Sequence, residues 1–168
     1  MAKAWKLQRF YHTVINSSDI QRSVDFYVAL GFEVLHDRRN LPWPPQMADL
    51  FGLEKAAGGG VLLIAPPEGD EAPTMLDIIQ WREPLAKFPT PEEARTTVPR
   101  ILALKVDDVK AAYEDLSARG FKFTPAGLFE PGGASMIVRS AHLYDPDGHI
   151  VELIELRPGA RHSQDFKK

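Results

Sequence analysis

The chain has 168 residues, a length that fits one compact domain with room for two internal halves. Hydrophobic residues make up 44% of it and charged residues 26%, so the chain can bury a core and does not have the composition of a disordered protein. The 20 basic and 23 acidic residues leave a net charge of −3, which provides no general attraction for nucleic acid, and we expect no nucleic-acid partner.

The absence of cysteine restricts the chemistry of the chain. It excludes disulfides, cysteine-ligated zinc or iron–sulfur sites and thiolate nucleophiles, so any metal must be held by histidine and carboxylate side chains. The longest interior apolar run, Val61 to Ala65, has five residues, whereas a membrane span needs about 20. Met1 to Leu7 contains no apolar stretch long enough for a signal peptide. We therefore expect a soluble cytoplasmic protein with no membrane partner.

The first half of the chain predicts the order strand, helix and three strands. Leu7 to Ile15 is rich in aromatic and β-branched residues, which is typical of a strand. Asp19 can cap a helix, Asp19 to Leu30, which carries an apolar stripe and stops at Gly31. The remaining strands are predicted at Phe32 to Asp37, Gly60 to Ala65 and Thr74 to Trp81, with an irregular insert at Arg38 to Ala57.

The second half repeats this order. Asp108 and Gly120 repeat the cap and the stop of the first helix at an offset of 89 residues, and they bound a helix at Asp108 to Arg119. Its strands are predicted at Arg100 to Val106, Phe121 to Thr124, Ala134 to Tyr144 and Ile150 to Leu156. We thus predict an α+β fold with a first βαβββ module at 7–81, a proline-rich linker at 82–99, a second βαβββ module at 100–156 and a polar tail at 157–168.

Three ionisable side chains fall on strand faces that are otherwise apolar. Glu152 shares its face with Ile150, Ile154 and Leu156, Asp77 shares one with Met75 and Ile79, and His12 shares one with Phe10 and Val14. Burying an isolated charge costs several kcal/mol, so each group must be protonated, hydrogen-bonded, salt-bridged or bound to a metal.

A fourth polar residue belongs to the same region. His142 precedes Glu152 by ten residues across the turn Asp145 to Gly148, so a tight hairpin places the two nearly opposite each other. All four residues have structural alternatives. His12 would be a hydrogen-bonded core residue, Glu152 would pair with Arg100 or Arg139, Asp77 would serve a sheet edge, and His142 would be a surface residue.

Three loop regions are interpreted structurally. Gly58 to Gly60 lacks the context of a phosphate-binding loop and is predicted to be a flexible hairpin connection. Pro131 to Ser135 is predicted to be a mobile loop. The apolar insert 38–57 is compatible with a lid, a dimer contact or a satellite core.

Several motifs resemble those of the glyoxalase I, bleomycin-resistance and extradiol dioxygenase group, the vicinal oxygen chelate superfamily. They are His12, Asp19, Ser23-Val24-Asp25-Phe26-Tyr27, Leu30-Gly31-Phe32, Val106-Asp107-Asp108-Val109 and the closing Asp145-Pro146-Asp147-Gly148-His149-Ile150-Val151-Glu152-Leu153. The resemblance implies two βαβββ modules that curl into a half-open barrel around a cup, with the helices outside. It also implies a homodimer.

The resemblance further implies a divalent metal, Fe, Mn, Ni or Zn, held by His12, Asp77 and Glu152. The position equivalent to His12 in the second module is Ile101, which cannot bind a metal. Such a site would bind a small substrate with vicinal oxygens, and we expect a lyase or isomerase with Glu152 and His142 as catalytic residues. In extradiol dioxygenases a tyrosine takes the place of His142.

Three alternatives to this function remain open. Ile101 and the aromatic residues Phe10, Trp43, Trp81 and Phe129 favour a metal-free binding protein of the bleomycin-resistance type, with an apolar or aromatic ligand. A dioxygenase is less favoured, because its ligand set of two histidines and one carboxylate is incomplete here. A scaffold that keeps only the fold is the third alternative.

Overall fold

The structure is a computed structural model that describes residues 11–66, 73–88, 93, 101–132 and 137–158. It divides into two compact units, Met1–Phe88 and Pro89–Lys168, which we call the first and second modules. The first contains β1 (Thr13–Asn16), α1 (Ile20–Ala29), β2 (Glu33–Asp37), α2 (Gln46–Phe51), β3 (Ala57–Ala65) and β4 (Thr74–Glu83). The second contains β5 (Ile101–Lys105), α3 (Val109–Ala118), β6 (Phe123–Phe129), β7 (Ile137–Tyr144) and β8 (Ile150–Leu156). The predicted α+β class with two modules is confirmed.

Each module forms a four-stranded sheet with the same arrangement. The order is β1-β4-β3-β2 in the first sheet and β5-β8-β7-β6 in the second. In each sheet the first strand pairs in parallel with the last, and the other neighbours are antiparallel. The last strand of each module, β4 or β8, therefore lies inside its sheet with a partner on both sides.

The two long helices begin and end as the sequence predicts. Helices α1 and α3 have ten residues each and start 89 positions apart. The side chains of Asp19 and Asp108 cap them by accepting hydrogen bonds from backbone N–H groups of the first turn. Gly31 and Gly120 follow with φ of 100° and 86°, which glycine adopts without the clash that a Cβ would cause.

The N-terminus of each helix is held by a side chain from the last strand of its module. Gln80 Oε1 accepts a hydrogen bond from the Ile20 N–H at 3.4 Å, and Glu155 Oε2 accepts one from the Val109 N–H at 3.1 Å. Because side chains alternate along a strand, the residues two and four positions before Gln80 and Glu155 also face the helices. These residues are almost completely buried: Leu76, Ile78, Val151 and Leu153.

The structure corrects the predicted connection at Gly58 to Gly60. These glycines lie inside β3, which begins at Ala57, and all three are buried. Glycine is required there by close packing, not by flexibility: a Cβ on Gly58 would lie 2.6 Å from the Trp43 ring, and one on Gly59 would overlap the Arg39 backbone. The predicted flexible connection is therefore wrong.

Other boundaries also differ from the sequence prediction. Strand β4 includes Arg82 and Glu83, which were expected in the linker, and β6 runs from Phe123 to Phe129, five residues beyond the predicted end. The insert holds the short helix α2, although its prolines suggested irregular structure. Leu7 to Phe10 of the predicted first strand, most of the linker, part of the loop 131–135 and most of the polar tail fall outside the described residues.

None of the helices in the described part of the chain is both long and apolar enough to cross a membrane.

Replacing Gly59 by alanine should destabilise the first module. The added methyl group meets backbone atoms of Arg39, which cannot rotate away, so we expect a loss of about 1–3 kcal/mol. Gly60→Ala is the control, because its Cβ would come no closer than 3.2 Å to a neighbouring atom. Thermal unfolding followed by tryptophan fluorescence reports on this module, which holds Trp43 and Trp81; equal midpoints for the two variants would contradict the prediction.

Replacing Glu155 by alanine should destabilise the second module. The Val109 N–H loses its acceptor, which costs about 1–2 kcal/mol. Glu155→Gln keeps an acceptor at the same place and should recover most of the loss. Chemical denaturation followed by circular dichroism compares the two variants. A glutamine variant as unstable as the alanine variant would show that the hydrogen bond to the helix is not what Glu155 contributes.

Candidate functional site

Asp77 and Glu152 occupy equivalent places in the two sheets. Asp77 pairs with Val14 of β1 on one side and Leu62 of β3 on the other, and Glu152 pairs with Ala103 of β5 and His142 of β7. Each carboxylate lies three residues before the side chain that holds the helix, so it faces the opposite side of its sheet. We call these sides the carboxylate faces.

On the carboxylate face of the second module, Glu152 and His142 form a pair. His142 Nε2 lies 3.3 Å from Glu152 Oε1, and the side chains are 36% and 22% exposed. The register shift in this hairpin lies between Ile137 and Arg139, so the pairing at His142 is regular. The predicted cross-strand neighbours are confirmed, and Glu152 is only half-buried.

The expected alternative partners of Glu152 are not found with it. Arg139 binds Glu130 at 2.7 Å and Glu155 at 3.4 Å instead. The hydrogen bond that Arg139 Nε donates to Glu130 raises the pKa of the Arg139 guanidinium. Arg139 is therefore paired with these two acids and not with Glu152. Arg100 lies outside the described residues.

On the carboxylate face of the first module, Asp77 is buried and paired with an arginine. Arg38 Nη2 lies 3.4 Å from both Asp77 Oδ1 and Oδ2. The Asp77 side chain is 12% exposed and the Arg38 side chain 50% exposed. Asp77 therefore lies on an inner strand, not at a sheet edge, and its negative charge is balanced by an arginine that the sequence did not indicate.

Little in the sequence could have identified Arg38. It follows β2 directly and is flanked by Asp37 and Arg39, and nothing in this charged run tells which arginine reaches β4. Arg39 instead holds the Asp37 carboxylate at 2.9 Å, and this side-chain hydrogen bond lowers the pKa of Asp37.

His12 immediately precedes β1, whereas the sequence predicted it to lie within the first strand. Its ring lies edge-on to that of Tyr11, with the centroids 5.1 Å apart. Its Nδ1 atom is buried and makes no hydrogen bond within the described part of the chain. Buried polar atoms are normally satisfied, so this nitrogen is a candidate for binding a ligand. The hydrogen bond that a core histidine would make is not found at this atom among the described residues.

The second module has no counterpart of this histidine. Ile101 opens β5, pairs with Ile150 and is 51% exposed. It lies 89 positions after His12 and carries no donor atom. On the carboxylate face of the described part of the second module, the predicted site residues are Glu152 and its neighbour His142.

The predicted ligands, His12, Asp77 and Glu152, carry donor atoms of the types that bind divalent metals. An imidazole nitrogen and carboxylate oxygens suit Mn(II), Fe(II), Ni(II) and Zn(II). Nδ1 of His12, which has no hydrogen-bond partner among the described residues, is a candidate ligand atom. Within the ranges that the structure describes, no three histidine or acidic side chains form a group that could hold a metal ion. What the structure shows are two separate arrangements, His142 with Glu152 and Arg38 with Asp77.

The insert supplies an aromatic cluster beside the carboxylate face of the first module. Trp81 lies four residues after Asp77 on β4, so the two side chains face the same side of the sheet. The Trp81 ring packs edge-to-face on Trp43, with the ring centroids 4.8 Å apart, and on Phe51 at 5.0 Å. Trp81 Nε1–H also donates to Asn16 Oδ1 at 3.0 Å. Of the three interpretations of the insert, a satellite core is the one these contacts support. Of the other aromatic residues expected at a pocket, Phe129 is 57% exposed and Phe10 lies outside the described residues.

Comparison with known proteins identifies the family. The family model described as Glyoxalase/Bleomycin resistance protein/Dioxygenase superfamily matches residues 9–153. This range includes the first sheet, most of the second sheet and all four predicted site residues. The chain belongs to this superfamily.

Individual relatives agree with this assignment. The chain is 31% identical over 154 residues to lactoylglutathione lyase of Escherichia coli O157:H7, with 91% of this chain and 96% of that protein covered. A glyoxalase family protein of Bacillus cereus has a similar structure, with a TM-score of 0.72, 13% identity and coverage of 93% and 99%. A variant of the fosfomycin resistance protein of Listeria monocytogenes, solved with Mn(II) and a dihydroxypropylphosphonic acid, has a TM-score of 0.57, 16% identity and coverage of 96% and 100%.

Replacing His12 by leucine should leave the stability unchanged or raise it. Among the described residues, the Nδ1 atom makes no hydrogen bond that would be lost, and an apolar side chain removes a buried unsatisfied group. Ser17→Ala is the control, because Ser17 Oγ is buried and hydrogen-bonded to Ser23 Oγ at 2.7 Å; its loss should cost about 1 kcal/mol. Thermal unfolding measures both. A loss for His12→Leu as large as for Ser17→Ala would mean that the imidazole is hydrogen-bonded.

Proposed function

We propose that the chain is a divalent-metal-dependent lyase or isomerase that acts on a small substrate with vicinal oxygens. The observation that carries the proposal is the equivalence of Asp77 and Glu152, which lie on inner strands at the same register of two repeated sheets. A carboxylate is expensive at such a position, so its presence in both modules favours a shared function. The identity to lactoylglutathione lyase, which covers 96% of that protein, supports the class of reaction.

In this proposal, His12, Asp77 and Glu152 hold the metal. His12 contributes a nitrogen, and the two acids contribute oxygens, a set that leaves positions open for a substrate. The bound ion would act as a Lewis acid and stabilise negative charge on the substrate oxygens.

His142 handles the proton in this proposal. With Nε2 at 3.3 Å from Glu152 Oε1, a proton on this nitrogen can be shared with the carboxylate. The pair is half-buried, so it is reachable by a substrate and partly shielded from water. His142 therefore orients Glu152 when it donates its proton and accepts a substrate proton when its nitrogen is free.

Metal content tests the proposal directly. Protein purified without chelator, or reconstituted with Mn(II), Fe(II), Ni(II) or Zn(II), should hold roughly one equivalent per chain, and His12→Ala and Glu152→Gln should hold much less. Glu155→Gln is the matched control, since it changes an acid of the same strand on the opposite face and should keep the metal.

Two results would contradict the proposal. One is less than about a tenth of an equivalent of any of these metals in every preparation, which is far from a bound site. The other is a metal-loaded protein that neither forms nor breaks down lactoylglutathione, and that turns over any other substrate equally well when Glu152 is replaced by glutamine.

A second candidate function is metal-free binding of a small apolar or aromatic molecule. It is favoured by Ile101, which cannot bind a metal, and by Arg38, which already balances the charge of Asp77. A thermal-shift screen of small aromatic compounds, run with and without metals, separates the two functions. Stabilisation that is independent of metals and unaffected by His12→Ala would favour binding; stabilisation that requires the metal would exclude it.

A further inference from the structure

Arg38 reaches Asp77 from a fixed piece of backbone. It is the residue directly after β2, and its N–H donates to the Gly60 carbonyl oxygen at 2.8 Å, which extends the β2–β3 pairing by one residue. Gly60 in turn leaves room for the carboxylate, since a Cβ there would lie 3.2 Å from Asp77 Oδ1. The backbone of Arg38 is thus held by β3, while its side chain crosses β3 to the acid on β4.

The two residues of this ion pair differ in how much each needs its partner. Asp77 is 12% exposed and needs a positive partner, whereas Arg38 is 50% exposed and can return to water at little cost. Both distances are 3.4 Å, longer than the 2.7–2.9 Å typical of close charge-assisted bonds. The contact is therefore mainly an electrostatic one that another cation can replace.

Among the described residues, the equivalent carboxylate of the second module, Glu152, has no arginine partner. Glu152 faces His142, which sits directly opposite it on β7, whereas the residue opposite Asp77 on β3 is Leu62. A histidine beside a carboxylate is compatible with a bound metal, but a guanidinium is always charged and repels one. The two half-sites thus differ in how strongly they oppose a cation.

We propose that Arg38 competes with the metal for Asp77: its guanidinium occupies the carboxylate when no cation is present and must leave it before a cation can bind. The proposal rests on the proposed metal site and adds a residue that sets its affinity. It explains how an acid that is nearly buried is stable in the absence of metal. It also predicts that this chain binds metal more weakly than it would without Arg38.

Calorimetric titration with Mn(II) alone and with Zn(II) alone tests this proposal. Arg38→Ala should bind each ion about three- to tenfold more tightly than the unmodified chain, which is the size expected for a partly exposed ion pair. Arg38→Gln removes the charge but keeps a hydrogen-bond donor, and it serves if the alanine variant does not fold. Arg39→Ala is the matched control, because it removes the same charge one residue further along, from a guanidinium that pairs with Asp37; its affinity should change less than twofold.

The outcomes separate this proposal from the proposed function. Equal affinities for the unmodified chain and both Arg38 variants would overturn the competition and leave the metal-dependent function standing. Binding by the Arg38 variants alone would support the competition and contradict the metal-dependent function of the unmodified chain. If neither the unmodified chain nor the Arg38 variants bind metal, both the competition and the metal-dependent function are overturned. If Arg39→Ala gains as much metal affinity as Arg38→Ala, the competition is overturned, because only the net charge of the chain would then matter.

Discussion

The position of the candidate site depends on one repeated hydrogen bond, from the first turn of each module's long helix to a side chain on its last strand. Gln80 and Glu155 accept these bonds on the side of β4 and β8 that packs against the helices through Leu76, Ile78, Val151 and Leu153. Because strand side chains alternate, the acids three residues earlier must face the other side. The packing that places each helix on its sheet therefore places Asp77 and Glu152 on the carboxylate faces.

Most of the fold could be predicted from the sequence because its signals are local. Asp19 with Gly31 and Asp108 with Gly120 specify a helix by its two ends, and the repeat at an offset of 89 specifies the second module once the first is known. The pairing of His142 with Glu152 was predictable because a hairpin has a fixed register. The glycines of β3 were misinterpreted because the neighbours that require them are distant in sequence. Gly59 packs on the backbone of Arg39, 20 positions away, and Gly58 packs on the ring of Trp43, 15 positions away. The homodimer expected from the family resemblance stays a prediction.

The candidate site was only partly predictable, because partners that come from different strands leave no periodic signal. The need of Asp77 for a positive partner followed from its apolar neighbours, but the identity of that partner as Arg38 depends on where β2 ends. Together with Ile101, this arginine makes the first and second modules unequal in their capacity to hold a cation. The repeated fold thus carries different side chains in its two modules: a His12 Nδ1 atom without a hydrogen-bond partner among the described residues in the first, and a histidine–carboxylate pair in the second.

The central claim is that this superfamily member binds a divalent metal through His12 and the two equivalent acids. X-ray absorption spectroscopy of the Zn(II)-loaded chain tests it most directly, since the spectrum reports the ligands of the ion. We predict only nitrogen and oxygen ligands at about 2.0–2.2 Å, with the multiple scattering of one imidazole that disappears in His12→Ala. A shell of oxygen ligands alone, with a spectrum unchanged by His12→Ala, would contradict the account.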